Sequence, residues 1–285
     1  MSPEELKERV SLLIDELASA DTNSLRDIVH ELVGELEGTP LIEFKPNRDV
    51  IFVGDLHGDF ESLLALKNVA DGSALVFLGD YVDRGLSQLE CLLGALLIKL
   101  ERPHEVVMLR GNHETPSMNA YYGFMSELAR RFPDRWKDIY KRLVTEIYSK
   151  LPLAAIISLP RGRIFSCHGG PPITRDLEDL RKVKLEVEPE DEVAIEVLWS
   201  DPREGLRGYV YSPRGAGYLY GRDVVESFIE KYGFRFIVRA HEPVNGVLRM
   251  FDGSLYVVFT CRYYGIQPSV LWVNKDLDIK VIRLL

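Results

Sequence analysis

A mixed α/β fold, built on a central β-sandwich of two mixed sheets flanked by helices, is the class this sequence predicts. Between Asp49 and Leu109, continuously apolar strands alternate with helical stretches. That pattern belongs to strands buried on both faces and joined by right-handed crossovers in a parallel sheet. From Val247 onward the strands are short and spaced for antiparallel pairing. The 285 residues can bury a substantial core, and no linker divides them. A parallel half followed by an antiparallel half implies two sheets packed face to face with helices outside.

Residues 1–40 read as a helical hairpin packed on a main domain of residues 41–285. Ser2-Pro3-Glu4-Glu5 offers an N-cap, a proline at the first helical position and a glutamate that closes a capping box. Leu6, Val10, Leu13, Ile14 and Leu17 then share one face. Asp21-Thr22-Asn23-Ser24 breaks that helix and caps the next, whose apolar face is Leu25, Ile28, Val29, Leu32 and Leu36. Gly38-Thr39-Pro40 ends it. His30, inside the hairpin, is read as structural.

Strand 50–53 leads to a helix near 59–70, and strand 74–78 to a helix near 86–100. Strand 105–109 leads to a helical region from about 117 to 150, interrupted at Pro133. Strands near 153–158 and 163–167 follow. Residues 171–192, rich in proline and charge, are expected to make a surface excursion. A short strand at 236–238 precedes the antiparallel set at 247–251, 255–260, 269–274 and 277–284. Asp252-Gly253 and Asn274-Lys275-Asp276 supply its turns.

Hydrophobic residues at 46% and charged residues at 28% are the balance of a soluble globular protein. No apolar run approaches the ~20 residues needed to span a bilayer, and the acidic N-terminus is no signal peptide. A cytoplasmic location without a membrane partner is therefore expected. The net charge of −9 argues against a nucleic-acid-binding surface. Phosphate is still admissible, because bound metals and arginines can reverse the local field. Cys91, Cys167 and Cys261 are too few and too scattered for a disulfide framework.

Each of the first three apolar strands stops abruptly at polar groups. The stretches are Gly54-Asp55-Leu56-His57-Gly58, Gly79-Asp80-Tyr81-Val82-Asp83-Arg84-Gly85 and Arg110-Gly111-Asn112-His113-Glu114. Parallel sheets bind ligands beyond the carboxyl ends of their strands, so the three clusters define one rim. Asp55 and His57, two residues apart, can point to the same side; Asp80 comes from the adjacent strand and Asn112 from the next. His168 and His241 each end a later strand, before small or loop-forming residues. Neutral imidazole with carboxylate suits divalent manganese, iron or zinc better than calcium or magnesium. Six ligands exceed what one tetrahedral zinc needs. With Asp80 bridging, the set divides into a first site of Asp55, His57 and Asp80 and a second of Asp80, Asn112, His168 and His241.

A lone Asp at a strand end is usually a helix cap, and a lone buried His a satisfied core residue. Here four of the six histidines follow apolar strands directly or by one turn, which makes a two-metal phosphate-ester hydrolase the better reading. His104, in a loop after Pro103, is read as surface. Cys167, beside His168, is read as a small buried side chain and not as a ligand or oxidation point.

These three stretches resemble the signature motifs of the PPP family of serine/threonine protein phosphatases. The likeness continues through His168-Gly169-Gly170, Leu198-Trp199-Ser200-Asp201-Pro202, Ser212-Pro213-Arg214-Gly215 and Arg239-Ala240-His241, and covers roughly residues 45–265. The first three motifs mark binuclear metallophosphoesterases generally. The later ones narrow the match to enzymes like the type 1 and 2A catalytic subunits, and the compact length resembles an archaeal or bacterial member. The resemblance implies a calcineurin-like metallophosphoesterase fold and hydrolysis of phosphoserine and phosphothreonine monoesters in proteins.

The implied mechanism uses two metals ~3.5–4 Å apart, which lower the pKa of a bridging water so that hydroxide attacks phosphorus in line. Arg84, Arg214 and Asn112 carry over as phosphate contacts. His113 carries over as the acid that protonates the leaving oxygen, with Asp83 orienting and charging its imidazole. Arg110 has no chemical role to carry over and is free to brace the strand end. Asp201 is either a hydrogen-bonding partner of site groups or part of an ordinary Asp-Pro turn.

One departure stands out. The family usually has an Ala-Pro-Asn-Tyr-Cys-Gly-like loop near the C-terminus, whose tyrosine approaches the substrate. This chain has Thr260-Cys261-Arg262-Tyr263-Tyr264-Gly265, one residue shorter against Phe259. Tyr264 is taken as the substrate-facing residue, with Tyr263 as the alternative. Two other functions compete: hydrolysis of diadenosine tetraphosphate or another nucleotide phosphoester on the same centre, and a catalytically silent scaffold that binds phosphoproteins. Glu114, where nucleotide hydrolases tend to have aspartate, and the region of Asp201 and Arg214 favour the protein phosphatase. The presence of every expected ligand and of the acid pair disfavours the scaffold. Phosphoproteins are the expected partners, alongside a regulatory partner that the sequence does not specify.

Overall fold

A computed structural model describes all of residues 1–285. Helices α1 (Pro3–Ser19) and α2 (Thr22–Leu32) lie where the sequence places them. They pack less on each other than on later helices, α1 on those at Phe60–Val69 and Gln88–Glu101 and α2 on that at Trp136–Tyr148. The capping box is present: the Ser2 hydroxyl accepts the Glu5 N–H, and the Glu5 carboxylate accepts the Ser2 N–H. Leu6, Val10 and Leu17 of α1 and Leu25, Val29 and Leu32 of α2 are buried. His30 is exposed, so it is not the structural residue that the sequence suggested. It lies outside the apolar face of a helix packed on one side only.

Strand β1 (Leu41–Phe44) had no clear signal, being short and mixed in polarity. The strand–helix repeat then runs through β2 (Val50–Val53), α3 (Phe60–Val69), β3 (Ala74–Phe77), α4 (Gln88–Glu101) and β4 (Val106–Met108). The helical region divides into α5 (Pro116–Tyr122), α6 (Phe124–Arg131) and α7 (Trp136–Tyr148). Its first break is at Gly123, where φ is 123°, a conformation glycine adopts without steric cost. Next come β5 (Ala154–Leu159), β6 (Gly162–Cys167), α8 (Leu177–Leu180) and α9 (Glu192–Trp199). A small sheet of β7 (Asp201–Pro202), β8 (Tyr209–Tyr211) and β9 (Tyr218–Tyr220) precedes α10 (Arg222–Tyr232) and β10 (Phe234–Arg239). The chain closes with β11 (Val247–Met250), β12 (Leu255–Val258), β13 (Ser269–Val273) and β14 (Ile279–Arg283).

Two large sheets face each other, in the orders β1-β5-β6-β10-β12-β11 and β14-β13-β2-β3-β4. Both are mixed. Strands β2, β3 and β4 are parallel as expected. The late strands, however, do not form a separate antiparallel sheet. β12 runs parallel to β10 in the six-stranded sheet, while β13 pairs antiparallel with β2 and carries β14 with it. Hairpins are local and legible from their turns, but which open edge receives each hairpin is a tertiary decision. Phe52, Val76 and Val107 from one sheet meet Ile157, Ile164, Val238 and Val258 from the other in the sandwich interior. Outside the five-stranded sheet, α1, α2, α3, α4 and α7 share one core with Ile51, Val53 and Leu75. Outside the six-stranded sheet, α9 and α10 cover Phe165, Ile237 and Val257.

The sheets touch at one end, where Asp55, just past β2, bridges to Phe259, just past β12. Gly54 makes this approach feasible: a Cβ there would lie 2.1 Å from the Val258 carbonyl oxygen. The carboxyl ends of strands from both sheets thereby reach one rim. No helix is long and apolar enough to cross a membrane.

Because the two N-terminal helices share their core with the sheet helices, Leu6→Ala should destabilise the whole chain. Denaturant unfolding should show a loss of about 2–5 kcal/mol in a single transition. A separate early transition, with the main one unmoved, would show that residues 1–40 fold as an independent unit.

Candidate metal centre

The backbone at the rim is bent out of ordinary conformations. Among non-glycine residues, His57 (φ 45°), Asp80 (58°), Asp83 (67°), Arg84 (72°) and His241 (67°) all lie in the left-handed region. Such positions cost of order 1–3 kcal/mol each and persist only where the surroundings over-determine them. Here the restraint is a dense set of backbone bonds. The Asp80 carbonyl accepts the N–H groups of Leu56 and His57 at 3.0 and 2.8 Å, and Gly58 N–H donates to the Tyr81 carbonyl at 2.9 Å.

Asp80 is the common member of the cluster. Its Oδ2 lies 3.5 Å from His57 Nε2 and 3.4 Å from His168 Nε2, while Oδ1 accepts the His113 N–H at 2.9 Å. Asp55 Oδ2 stands 3.6 Å from His57 Nε2, and Asp55 Oδ1 accepts the His241 N–H at 2.9 Å. Asn112 Oδ1 is 2.9 Å from His168 Nε2. The His168 and His241 rings meet edge-on with centroids 5.0 Å apart. His57 Nδ1 faces the Val82 carbonyl at 3.0 Å, and His168 Nδ1 the Leu78 carbonyl at 2.8 Å. A ring nitrogen anchored to a carbonyl turns the other nitrogen into the cluster. All six side chains named in the sequence as ligands are buried together.

The electrostatics suit cations. Burial, together with the Asp80 charge, pushes the Asp55 carboxyl up to about 6. Burial opposes ionisation of Asp80 too, but His168 and His113 outweigh it and hold that carboxyl well below its usual range. Burial pushes His57 down to about 3. Asp55 Oδ2 and His241 Nε2 are buried without a hydrogen-bond partner. Such atoms are costly unless something binds them. Groups around Asp80 form two overlapping sets with atoms close enough to share an ion, His57–Asp80–His113 and Asp80–His168–His241. The donor set of imidazole, carboxylate and amide oxygen fits a pair of divalent ions.

His113 also belongs to another pair. Its Nδ1 lies 2.8 Å from Asp83 Oδ2. Burial alone would lower the imidazole, but Asp80 and the Asp83 hydrogen bond raise it. Arg84 is exposed beside this pair, with its guanidinium 4.4 Å from the Tyr122 ring centroid. Across the rim, Arg214 donates through Nε to Asp201 Oδ2 at 2.7 Å. Tyr264 lies beside the cluster of buried side chains, its ring 6.3 Å from His57 and 5.4 Å from Phe259. The Tyr263 hydroxyl turns instead to the Gly58 carbonyl at 3.3 Å.

A family model described as calcineurin-like phosphoesterase matches residues 49–245. Over 239 residues the chain is 36% identical to a serine/threonine-protein phosphatase 4 catalytic subunit of Saccharomyces cerevisiae, covering 80% of this chain and 75% of that protein. The chain belongs to the PPP family of serine/threonine protein phosphatases. It is also 33% identical over 268 residues to a PP2A-like serine/threonine-protein phosphatase of Candida albicans, spanning 90% of this chain and 63% of that relative. A solved serine/threonine phosphatase from Saccharomyces cerevisiae, described as similar to human phosphatase PP5, superposes with a TM-score of 0.83 at 26% identity. That match covers 100% of this chain and 97% of the solved one. Membership makes this a metallophosphoesterase, a phosphoric monoester hydrolase with a divalent metal centre.

The structure resolves several roles that the phosphatase motifs left open. Asp201 is no mere turn residue: Arg214 holds one carboxylate oxygen, and buried Arg239 donates to the other at 2.8 Å. Arg110 braces the rim, donating from Nε and a terminal nitrogen to the Glu114 carbonyl at 3.1 and 2.9 Å. Cys167 is buried, with burial pushing its thiol up to about 12, as befits an inert packing residue.

Glu114 does more than mark a substrate class. Its buried carboxylate in fact accepts the N–H groups of Asp80 (2.8 Å), Tyr81 (2.9 Å) and Gly111 (2.8 Å). Glu127 of α6 accepts the Gln88 and Leu89 N–H groups at 3.0 and 3.1 Å and so caps α4. Ser87, the local candidate, makes no such bond. A remote cap of this kind leaves no sequence pattern to read.

Glu114→Ala would strand three buried N–H donors under the metal ligands. It should lower stability by about 3 kcal/mol or more and weaken metal binding, although Glu114 touches no ion site. Calorimetric manganese titration and thermal unfolding that match the parent protein would remove Glu114 from the scaffold of the centre.

Proposed function

We propose that this chain removes phosphate from phosphoserine and phosphothreonine in proteins, at the rim centred on Asp80. The observation that carries the reading is that carboxylate, shared between His57 and His168, with the His113–Asp83 pair hung from the same strand ends. Asp55, His57 and Asp80 would hold one divalent ion, and Asp80, Asn112, His168 and His241 the other. Manganese suits the donor set, and iron or zinc are alternatives. Such a pair, when bound, supplies an activated water for in-line attack on phosphorus and offsets phosphoryl charge.

The chain's own groups do the rest. Arg84 and Arg214 flank the cluster and grip phosphoryl oxygens. Asp201 occupies Arg214 Nε, which leaves the two terminal nitrogens free for a bidentate contact. The Asn112 amide contributes a further phosphate contact. His113, with Asp83 on Nδ1, presents Nε2 as the acid. As the bond from phosphorus to the serine or threonine oxygen breaks, the Nε2 proton passes to that oxygen and the alcohol leaves neutral. Tyr264 lines the approach above His57 and orders the peptide beside the phosphate.

The reading is tested by assaying phosphothreonine peptides, phosphotyrosine peptides and diadenosine tetraphosphate side by side with manganese. The phosphothreonine peptide should be preferred; preference for the dinucleotide would move the chain to nucleotide hydrolysis. Chelator-stripped protein should be inactive and recover with manganese. His113→Ala should slow phosphothreonine hydrolysis by about 10²–10⁴-fold and aryl phosphate far less, because a nitrophenolate leaves without a proton. Equal losses on both substrates would exclude His113 as the acid.

A further inference from the structure

Asn119, on α5, reaches no ion site, yet its buried amide touches both halves of the acid pair. Nδ2 donates to Asp83 Oδ2 at 3.1 Å and to the His113 carbonyl at 2.8 Å. On the other side, Oδ1 accepts the hydroxyl groups of Tyr140 and Tyr148 at 3.1 and 2.9 Å. Both hydrogens and both lone-pair directions of the amide are therefore occupied. A flipped amide could still donate to the two phenol oxygens, but it would lose both donations to Asp83 and His113. It would also turn its oxygen on a carboxylate and a carbonyl oxygen. In a buried site those contacts are prohibitive, so the orientation is fixed. Burial pushes the Tyr140 and Tyr148 phenols upward, which keeps both hydroxyls protonated as donors.

The contact is specific in what it restrains. Asp83 Oδ1 is held by the Phe124 N–H at 3.0 Å. Oδ2, the oxygen that meets His113 Nδ1 at 2.8 Å, receives its other donor from Asn119. The same NH2 group also fixes the main chain of His113, so one amide sets the position of the carboxylate oxygen relative to the imidazole it serves. Tyr140 and Tyr148 belong to α7, an element that contributes no residue to the rim.

We propose that Asn119 is a positioning residue for general-acid catalysis, its amide aimed by two tyrosines of α7 so that Asp83 presents Oδ2 to His113. The proposal rests on the reading of His113 as the acid. A group that acts through His113 should matter in proportion to how badly the leaving oxygen needs a proton, and should stop mattering when the imidazole is gone.

The experiment uses the full chain loaded with manganese. Asn119→Ala and the pair Tyr140→Phe and Tyr148→Phe, singly and together, are measured with and without His113→Ala. Substrates are a phosphothreonine peptide and p-nitrophenyl phosphate. Asn119→Ala should lower kcat on the peptide by about tenfold to a hundredfold and on the aryl ester by much less, with KM within about twofold on both. The double phenylalanine variant, which removes only two hydroxyl oxygens and keeps the ring packing, should reproduce the same selectivity at smaller size. It carries the test if Asn119→Ala does not fold. In the His113→Ala background, the peptide-selective loss should vanish.

Equal losses on both substrates, or selective losses that add fully to those of His113→Ala, would overturn the proposal and leave the acid assignment intact. Absence of leaving-group selectivity in His113→Ala itself would overturn both.

Discussion

Everything at the rim depends on how Asp80 is held. Its carbonyl takes two N–H groups from the Asp55–His57 turn, and its N–H goes to Glu114. One carboxylate oxygen takes the His113 N–H, and the other stands between His57 and His168. These contacts join three strand ends of the five-stranded sheet to a strand end of the six-stranded one. A carboxylate buried among imidazoles and another carboxylate is unfavourable in isolation. It persists because the backbone around it is over-determined and because the same arrangement is what divalent ions require.

The strained conformations follow the same logic. His57, Asp80, Asp83, Arg84 and His241 turn sharply at strand ends because each must deliver a side chain into a small volume immediately after leaving a pleated strand. Glycines allow the crowding. A Cβ on Gly79 would lie 2.2 Å from the Gly111 nitrogen, and one on Gly111 would lie 2.1 Å from Asp80 Oδ1. Neighbouring strand ends are thereby pressed together until the buried carboxylate, imidazole and amide groups of one can meet those of the next. Stability lost in these turns is supplied by the apolar layers on both outer faces of the sandwich and by the remote carboxylates Glu114 and Glu127, which satisfy backbone donors that the local sequence leaves open.

Much of this was legible in the sequence because the signals were local. Apolar runs ending at Asp55, Asp80 and Asn112 announce strands and a rim together, and Asp83 and His113 follow closely on two of these residues. The residues that eluded reading share one property: their partners are distant in the chain. Asn119 is bonded to Asp83, Tyr140 and Tyr148, and Glu127 to the N–H groups of Gln88 and Leu89. A polar residue near a helix start has an ordinary local explanation, and only the folded chain shows that its side chain points elsewhere.

The sequence by itself determined the placement: which carboxylate, imidazole and amide side chains end the apolar strands and so meet at one rim. It did so because an apolar run that stops abruptly at polar groups is a short-range signal. Tertiary structure alone decided how the late hairpins divide between the two sheets, why Tyr264 and not Tyr263 faces His57, and which buried carboxylates and amides brace the rim. Those outcomes depend on which sheet edge is open and on which backbone donors remain unpaired once all the elements have packed. That information exists only when residues far apart in sequence come within hydrogen-bonding distance.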